Sequence, residues 1–376
     1  LGVGWNFLYV GGTTLFTGTN GSGVFRSTDY GALWTEVNQG LKGQDIRAMC
    51  VRGTSIFAGT YGGGIYRSTD NGENWTTVNT GVRVKDIRAF AVNGTSIFAG
   101  AYEGGIYRST DNGENWVEVN TGLTKKIVKS FAIIGSTIFA GTSSGGVFRS
   151  TDNGANWTDV NEGLQNSSNY IFVNTLIAAG TSLFVGVNGG VFFITDNGDT
   201  WTKVITAWKN KNVTTFAMSG STIYAGTDDG VYRSIDNGAS WTVYKTGLKY
   251  ESITSLMVVG STIFAGTYHG VFRSTDNGDN WTEANTGTLK SDVHAFAVNG
   301  TTLFAGTGGA SVWKLDISAI GVEEERNTEA TKGPAMDPFP NPSTSSVTIL
   351  LPFNTTSTLE VFNIYGAKVF ETSEIP

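Results

Sequence analysis

Cysteine, histidine, proline and charge are all scarce in this chain. It has one Cys, two His, six Pro and only 15% charged residues among 376. A single thiol, Cys50, closes no intramolecular disulfide, so a disulfide scaffold is excluded. His269 and His294 lack a third ligand of matching spacing, and no metal is expected. Phosphate-loop, dinucleotide and Ser–His–Asp patterns are absent, so no cofactor is expected either. Lys+Arg 25 against Asp+Glu 32 leaves a net charge of −7. That balance argues against nucleic acid as a partner. No apolar run reaches the roughly 18 residues of a membrane helix, so the chain is not expected to be transmembrane. No segment keeps a helical apolar period over three turns. Aromatic residues, at 12%, are too frequent for a disordered chain.

What is abundant is glycine, 51 residues, and repetition. The string Ser-Thr-Asp-Asn-Gly-x-x-Trp, or a near copy, occurs seven times. Its aspartates are Asp29, Asp70, Asp111, Asp152, Asp196, Asp236 and Asp276. Its tryptophans are Trp34, Trp75, Trp116, Trp157, Trp201, Trp241 and Trp281. The spacing stays near 40 residues, the period of four-stranded propeller blades.

One unit spells out four strands. Ile87–Val92 is apolar, and Asn93-Gly94-Thr95 is a tight turn. Ser96–Ala101 and Gly104–Ser109 follow, then the Asp111-Asn112-Gly113 turn and a fourth strand at Trp116–Asn120. The first three strands recur eight times and the fourth seven times. The expected fold is therefore all-β: a propeller of about eight, alternatively seven, four-stranded blades over residues 1–317. By this register the missing fourth strand belongs upstream of Leu1. Residues 318–337 read as a polar linker. Residues 338–376 read as a partial β-sandwich, too short for a self-sufficient core.

The repeated string resembles the Asp box, or bacterial neuraminidase repeat, which marks propellers of many functions. The tail resembles the type IX secretion sorting domain. The residues carrying that likeness are Pro340-Asn341-Pro342, Ile349-Leu350-Leu351-Pro352, and Val361-Phe362-Asn363-Ile364-Tyr365-Gly366 followed by Val369. The resemblance implies export by the type IX machinery and a secreted or outer-membrane-surface location in a bacterium.

Seven equivalent Asp–Trp corners suit scaffolding rather than catalysis. The Asp accepts backbone N–H bonds, and the Trp packs between blades. Arg26, Arg67, Arg108, Arg149, Arg233 and Arg273 repeat likewise and suit inter-blade bonding. Function is expected where repetition breaks, at the turns near the channel mouth. There Arg47, Arg88 and Lys129 stand on consecutive blades, with Tyr61, Tyr102 and Glu103 beside them. Asp228, Asp229 and Glu251 lie across the ring, and Tyr268, His269 and His294 are further variable positions of the rim. This polarised rim predicts an anion or acidic-glycan site with tyrosine platforms. The expected function is a secreted or cell-surface binding propeller recognising a glycan or surface protein. The alternative is a sialidase-like glycoside hydrolase, in which Arg47, Arg88, Tyr102 and Glu103 would take the family's roles. The Phe-Arg-Ile-Pro string of that family is absent.

Overall fold

A computed structural model describes residues 4–11, 14–28, 35–43, 45–164, 171–195, 200–204, 211–249, 251–284, 292–299, 302–307, 312–317, 359–362 and 368–372. The chain divides into two compact units, Leu1–Asp337 and Pro338–Pro376.

The first unit is built of consecutive antiparallel sheets, each a simple meander. Blade two shows the pattern: Ile46–Arg52 innermost, then Ser55–Thr60, Gly64–Ser68 and, outermost, Thr76–Thr77. Seven sheets have four strands. The eighth has three among the described residues, Val293–Asn299, Thr302–Thr307 and Val312–Asp316. Each innermost strand neighbours the next, and Val293–Asn299 lies against the first, Gly4–Gly11, so the ring closes with eight sheets.

Burial explains why the strands read as they do. Second strands such as Ser55–Thr60 and Ser96–Ala101 are buried on both faces, and their centres are apolar. The cores lie between blades rather than within them. One cluster joins Phe16, Val24 and Val37 of blade one to Ile46, Ile56, Tyr66 and Trp75 of blade two. Each fully buried phenylalanine, such as Phe57 or Phe98, contributes about 1.5–3 kcal/mol.

The outermost strands are shorter than the sequence suggests. In blade three, Trp116–Asn120 was the expected strand, but only Val117–Glu118 pairs. Val119 N–H still donates to the Ile106 carbonyl, but Trp116 and Asn120 are engaged elsewhere. Trp116 N–H donates to Thr80 of the previous blade. The Asn120 side chain accepts from Ile106 N–H and donates to the Gly104 carbonyl. That asparagine bridge recurs at Asn38, Asn79 and Asn161.

The second unit contains an antiparallel pair, Leu359–Phe362 and Lys368–Thr372, which includes Val361, Phe362 and Val369. The remaining tail motif residues lie outside the described residues, as do Asp29, Trp34 and Asp196.

Candidate functional site

The repeated corners among the described residues are consumed by scaffolding. In blade two, Ser68 Oγ donates to Asp70 Oδ1, and Gly72 N–H donates to Ser68 Oγ, both at 2.8 Å. Asn74 donates its backbone N–H to Asp70 Oδ1 and its side-chain amide to Oδ2. These bonds, the Asn74 backbone N–H foremost, hold the Asp70 carboxyl down at about 2. Asp111 and Asp152 are held at about 2 in the same way. Asp236 and Asp276 are lowered by equivalent bonds, led by the Ser240 side chain and the Asn280 backbone respectively.

The corners also tie blades together. Trp75 Nε1 donates to the Val37 carbonyl, and Trp157 Nε1 to that of Val119, each one blade back. Trp201 repeats this toward Val160. Trp241 instead donates to Gly238 in its own corner. Trp116 and Trp281 are buried, and among the described residues their Nε1 groups have no hydrogen-bond partner. Arg26, Arg67, Arg108 and Arg233 reach forward to the corner carbonyls of Asn71, Asn112, Asn153 and Asn277.

The channel mouth is built differently. Every innermost strand carries a β-bulge at its start, where one residue is skipped in the pairing. In blade two Ile46 pairs with Thr60 and Ala48 with Gly59, leaving Arg47 outside the ladder. The glycine opposite is required by close approach. A Cβ on Gly59 would sit 2.7 Å from Ile87 of the next blade. A bulge takes the skipped residue out of the pairing ladder. The skipped positions are Asn6, Arg47, Arg88, Lys129, Asn174, Thr214, Thr254 and His294.

Blades five to seven spend this residue on the ring itself. Asn174 Nδ2 donates to the Val213 carbonyl at 3.0 Å, and Thr214 Oγ1 to that of Ile253 at 2.6 Å. Thr254 Oγ1 bonds the Val293 carbonyl.

In blades two and three the bulge residue is an arginine held by an aspartate two positions earlier. Arg47 Nη2 meets Asp45 Oδ2 at 2.6 Å. Arg88 grips Asp86 through Nε and Nη2, with contacts of 2.9–3.3 Å. Each guanidinium lies over a tyrosine sixteen residues beyond the aspartate. Arg47 Cζ is 5.5 Å from the Tyr61 ring centroid, and Arg88 Cζ is 4.3 Å from that of Tyr102. The tyrosine backbone N–H donates to the carbonyl of the same aspartate, which fixes the unit. Between the two copies lies a cavity of about 510 Å³, lined by Tyr61, Lys85, Asp86, Arg88, Tyr102 and Glu103 among others. Tyr61 is 58% exposed and Tyr102 36%.

This arrangement corrects the polarised rim. The two arginines of the basic arc are not free cations, because Arg47 and Arg88 each carry their own counter-ion. The acidic side is partly neutralised as well. Asp229 lies between Lys211 at 3.1 Å and Lys245 at 3.2 Å, and Glu251 also pairs with Lys245. Burial opposes ionisation of Asp229, but the lysine hydrogen bonds outweigh it and lower its carboxyl. Asp228 Oδ1 accepts from Asn212 N–H. His294 Nε2 contacts Asp292 Oδ2 at 2.8 Å. Lys129 does not line the cavity. Burial, then the nearby Arg88 charge, push its ammonium down. Tyr268 and His269 are exposed on the equivalent turn of blade seven, outside the cavity. Among the described residues no cluster of metal ligands occurs.

Sequence reasoning missed Asp45 and Asp86. The signal was present: Asp-Ile-Arg occurs in both blades, with tyrosine at the same offset. It also missed Lys211 and Lys245, for which no pattern exists.

A family profile for the DUF6242 β-propeller domain matches residues 6–131 and 169–305. The chain belongs to that family. No curated protein sequence matches this DUF6242 propeller. Among solved structures it is similar to the computationally designed Ika8 protein, at 13% identity and TM-score 0.65, covering 84% of this chain and 97% of that one. The extracellular domain of BT4673 from B. thetaiotaomicron matches at 16% identity and TM-score 0.55. That match covers 84% of this chain but spans about half the length of the other, 51%. A GH74 xyloglucanase from Xanthomonas campestris matches at 17% identity and TM-score 0.55, covering 73% of this chain and 52% of the enzyme. At these identities the likeness is one of fold. Among the described residues no helix is long and apolar enough to cross a membrane.

Proposed function

We propose that this propeller is a secreted or cell-surface binding module that holds a glycan or protein ligand at the channel mouth. One observation carries the reading. Two neighbouring blades repeat an Asp–Arg–Tyr unit, with a cavity lined by the whole blade-three unit and by Tyr61 of blade two, whereas the described recurrent corners are occupied with holding the ring. Cavities that combine aromatic walls with a few oriented polar groups are where ligands bind. We read the corners as Asp boxes and the tail as a type IX sorting domain, which makes the export machinery a partner and the cell surface the place of action. The extracellular domain among the structural neighbours is consistent with that location.

Hydrolysis is the weaker reading. A glycosidase needs two carboxyl groups flanking the scissile bond. In the cavity Asp86 is committed to Arg88, which leaves Glu103.

A glycan and surface-protein array probed with the chain and with Arg88→Ala tests the proposal. The expected result is a ligand whose signal falls in the variant. A ligand bound equally by both proteins would overturn it. Turnover of a fluorogenic glycoside that is lost in Glu103→Gln would make the protein an enzyme instead.

A further inference from the structure

We propose that the cavity between blades two and three binds an uncharged oligosaccharide laid across two adjacent, equivalent subsites. This deepens the binding reading above and replaces the acidic glycan expected from the sequence.

Charge is the first argument. Lys85 and Arg88 face the cavity together with Asp86 and Glu103, two positive groups against two negative. Arg47 at the neighbouring subsite is matched by Asp45. An anionic ligand would gain from the arginines only what it lost against the carboxylates. The Asp45–Arg47 and Asp86–Arg88 pairs, already made at 2.6–2.9 Å, leave little net positive charge to attract it.

Hydrogen-bond chemistry is the second. Arg88 spends Nε and part of Nη2 on Asp86, and a guanidinium has five N–H donors, so donors remain beside a carboxylate acceptor. A sugar hydroxyl both donates and accepts, and each paired Asp–Arg unit offers both functions within one side-chain group. Sulfate or carboxylate only accepts. The ion pairs also fix both groups before a ligand arrives, which lowers the ordering cost of binding.

The tyrosines are the third. Each ring has one face near a guanidinium and remains substantially open, which suits the C–H face of a pyranose. The cavity volume of about 510 Å³ falls within the roughly 300–1,000 Å³ of small-molecule sites. Because the Asp–Arg–Tyr unit recurs one blade on, a polymer of like units meets like chemistry at successive residues.

The test is affinity electrophoresis of the full 376-residue chain in gels containing laminarin, mannan, dextran or xyloglucan, and in parallel polygalacturonate, alginate or heparin. Retardation by at least one neutral polysaccharide is expected, insensitive to salt. Oligosaccharides of that polymer should bind more tightly as length grows from one to several units. Tyr61→Ala and Tyr102→Ala should each weaken binding roughly tenfold. Both side chains are exposed, so an unchanged thermal melt will certify the variants. Retardation by none of the neutral polymers, or by the acidic ones alone, overturns the inference. If acidic-polymer binding is lost in the tyrosine variants, the mouth remains the binding site and only the ligand class falls. If binding is untouched by either variant, the mouth itself is wrong.

Discussion

Arg67 in blade two donates through Nη1 to the main-chain carbonyl of Asn112 in blade three, at 2.7 Å. Asn112 has φ +58°, a left-handed conformation that aims this carbonyl back at the previous blade. The Asn112 amide meanwhile donates to Ser55 Oγ, and its Oδ1 accepts from Arg52. One turn residue thus fastens two blades in three places.

Arg67→Ala should therefore destabilise the propeller by about 1.5–3 kcal/mol, the range for a hydrogen bond with one charged partner. Glu114→Ala removes an ion pair to the same arginine, but its carboxylate is largely exposed. That change should cost about 0–1 kcal/mol. Denaturant unfolding of the two variants compares them.

Gly113→Ala tests the corner sterically. The residue has φ +84°, and an added Cβ would lie 2.5 Å from Phe57 of the preceding blade. Strained backbone of this kind costs about 1–3 kcal/mol before the clash is counted. The thermal midpoint should fall further than for Gly94→Ala, where φ is also positive but nothing lies within 4 Å.

Acid should loosen the ring in a defined window. Asp70, Asp111 and Asp152 titrate at about 2 in the folded protein, below the 3.8 of a free aspartate. A lowered folded value means their contribution is present above the unfolded value and is lost as pH falls toward about 2. Stability measured between pH 5 and about 2 should drop steadily. Asp111→Asn should make that slope shallower while lowering stability at neutral pH.

Asp86→Asn should unbalance the cavity. Arg88 loses its counter-ion while Lys85 remains, leaving a net positive site. Retention on heparin should rise roughly two- to fivefold at low ionic strength and vanish in high salt. Unchanged retention would mean that Arg88 finds another carboxylate.

Thr214→Ala removes hydrogen bonds to the Ile253 and Gly226 carbonyls. A loss of about 1–2 kcal/mol is expected, read by thermal unfolding. Ligand binding at blades two and three should not change.

The propeller was legible because the repeat states its own boundaries. Ser96–Ala101 and the turns at Gly94 and Gly113 fall where spacing and turn chemistry put them. The outer strands were misjudged because Trp116 and Asn120 look like strand residues, yet their hydrogen bonds go to a neighbouring blade and a neighbouring turn. The mouth was half legible. Repeat alignment picks out Arg47 and Arg88 as variable positions on inner strands. It does not reveal the bulge, which depends on how Ala48 and Gly59 pair across the sheet. Nor does a tally of charges along the rim show that each arginine has taken an aspartate with it. Arg47 and Arg88 each form a local ion pair, so a sum of charges along the rim overstates their field.

The bulges carry a consequence for how such a ring diversifies. A skipped residue takes no part in register, so exchanging it leaves every strand where it was. Asparagine, arginine, lysine, threonine and histidine all occupy that slot in one chain. Where the slot is not spent on the ring, as it is in blades five to seven, it works as a dial with one setting per blade. There, single substitutions change what the mouth presents, with no loop lengthened and no sheet rebuilt.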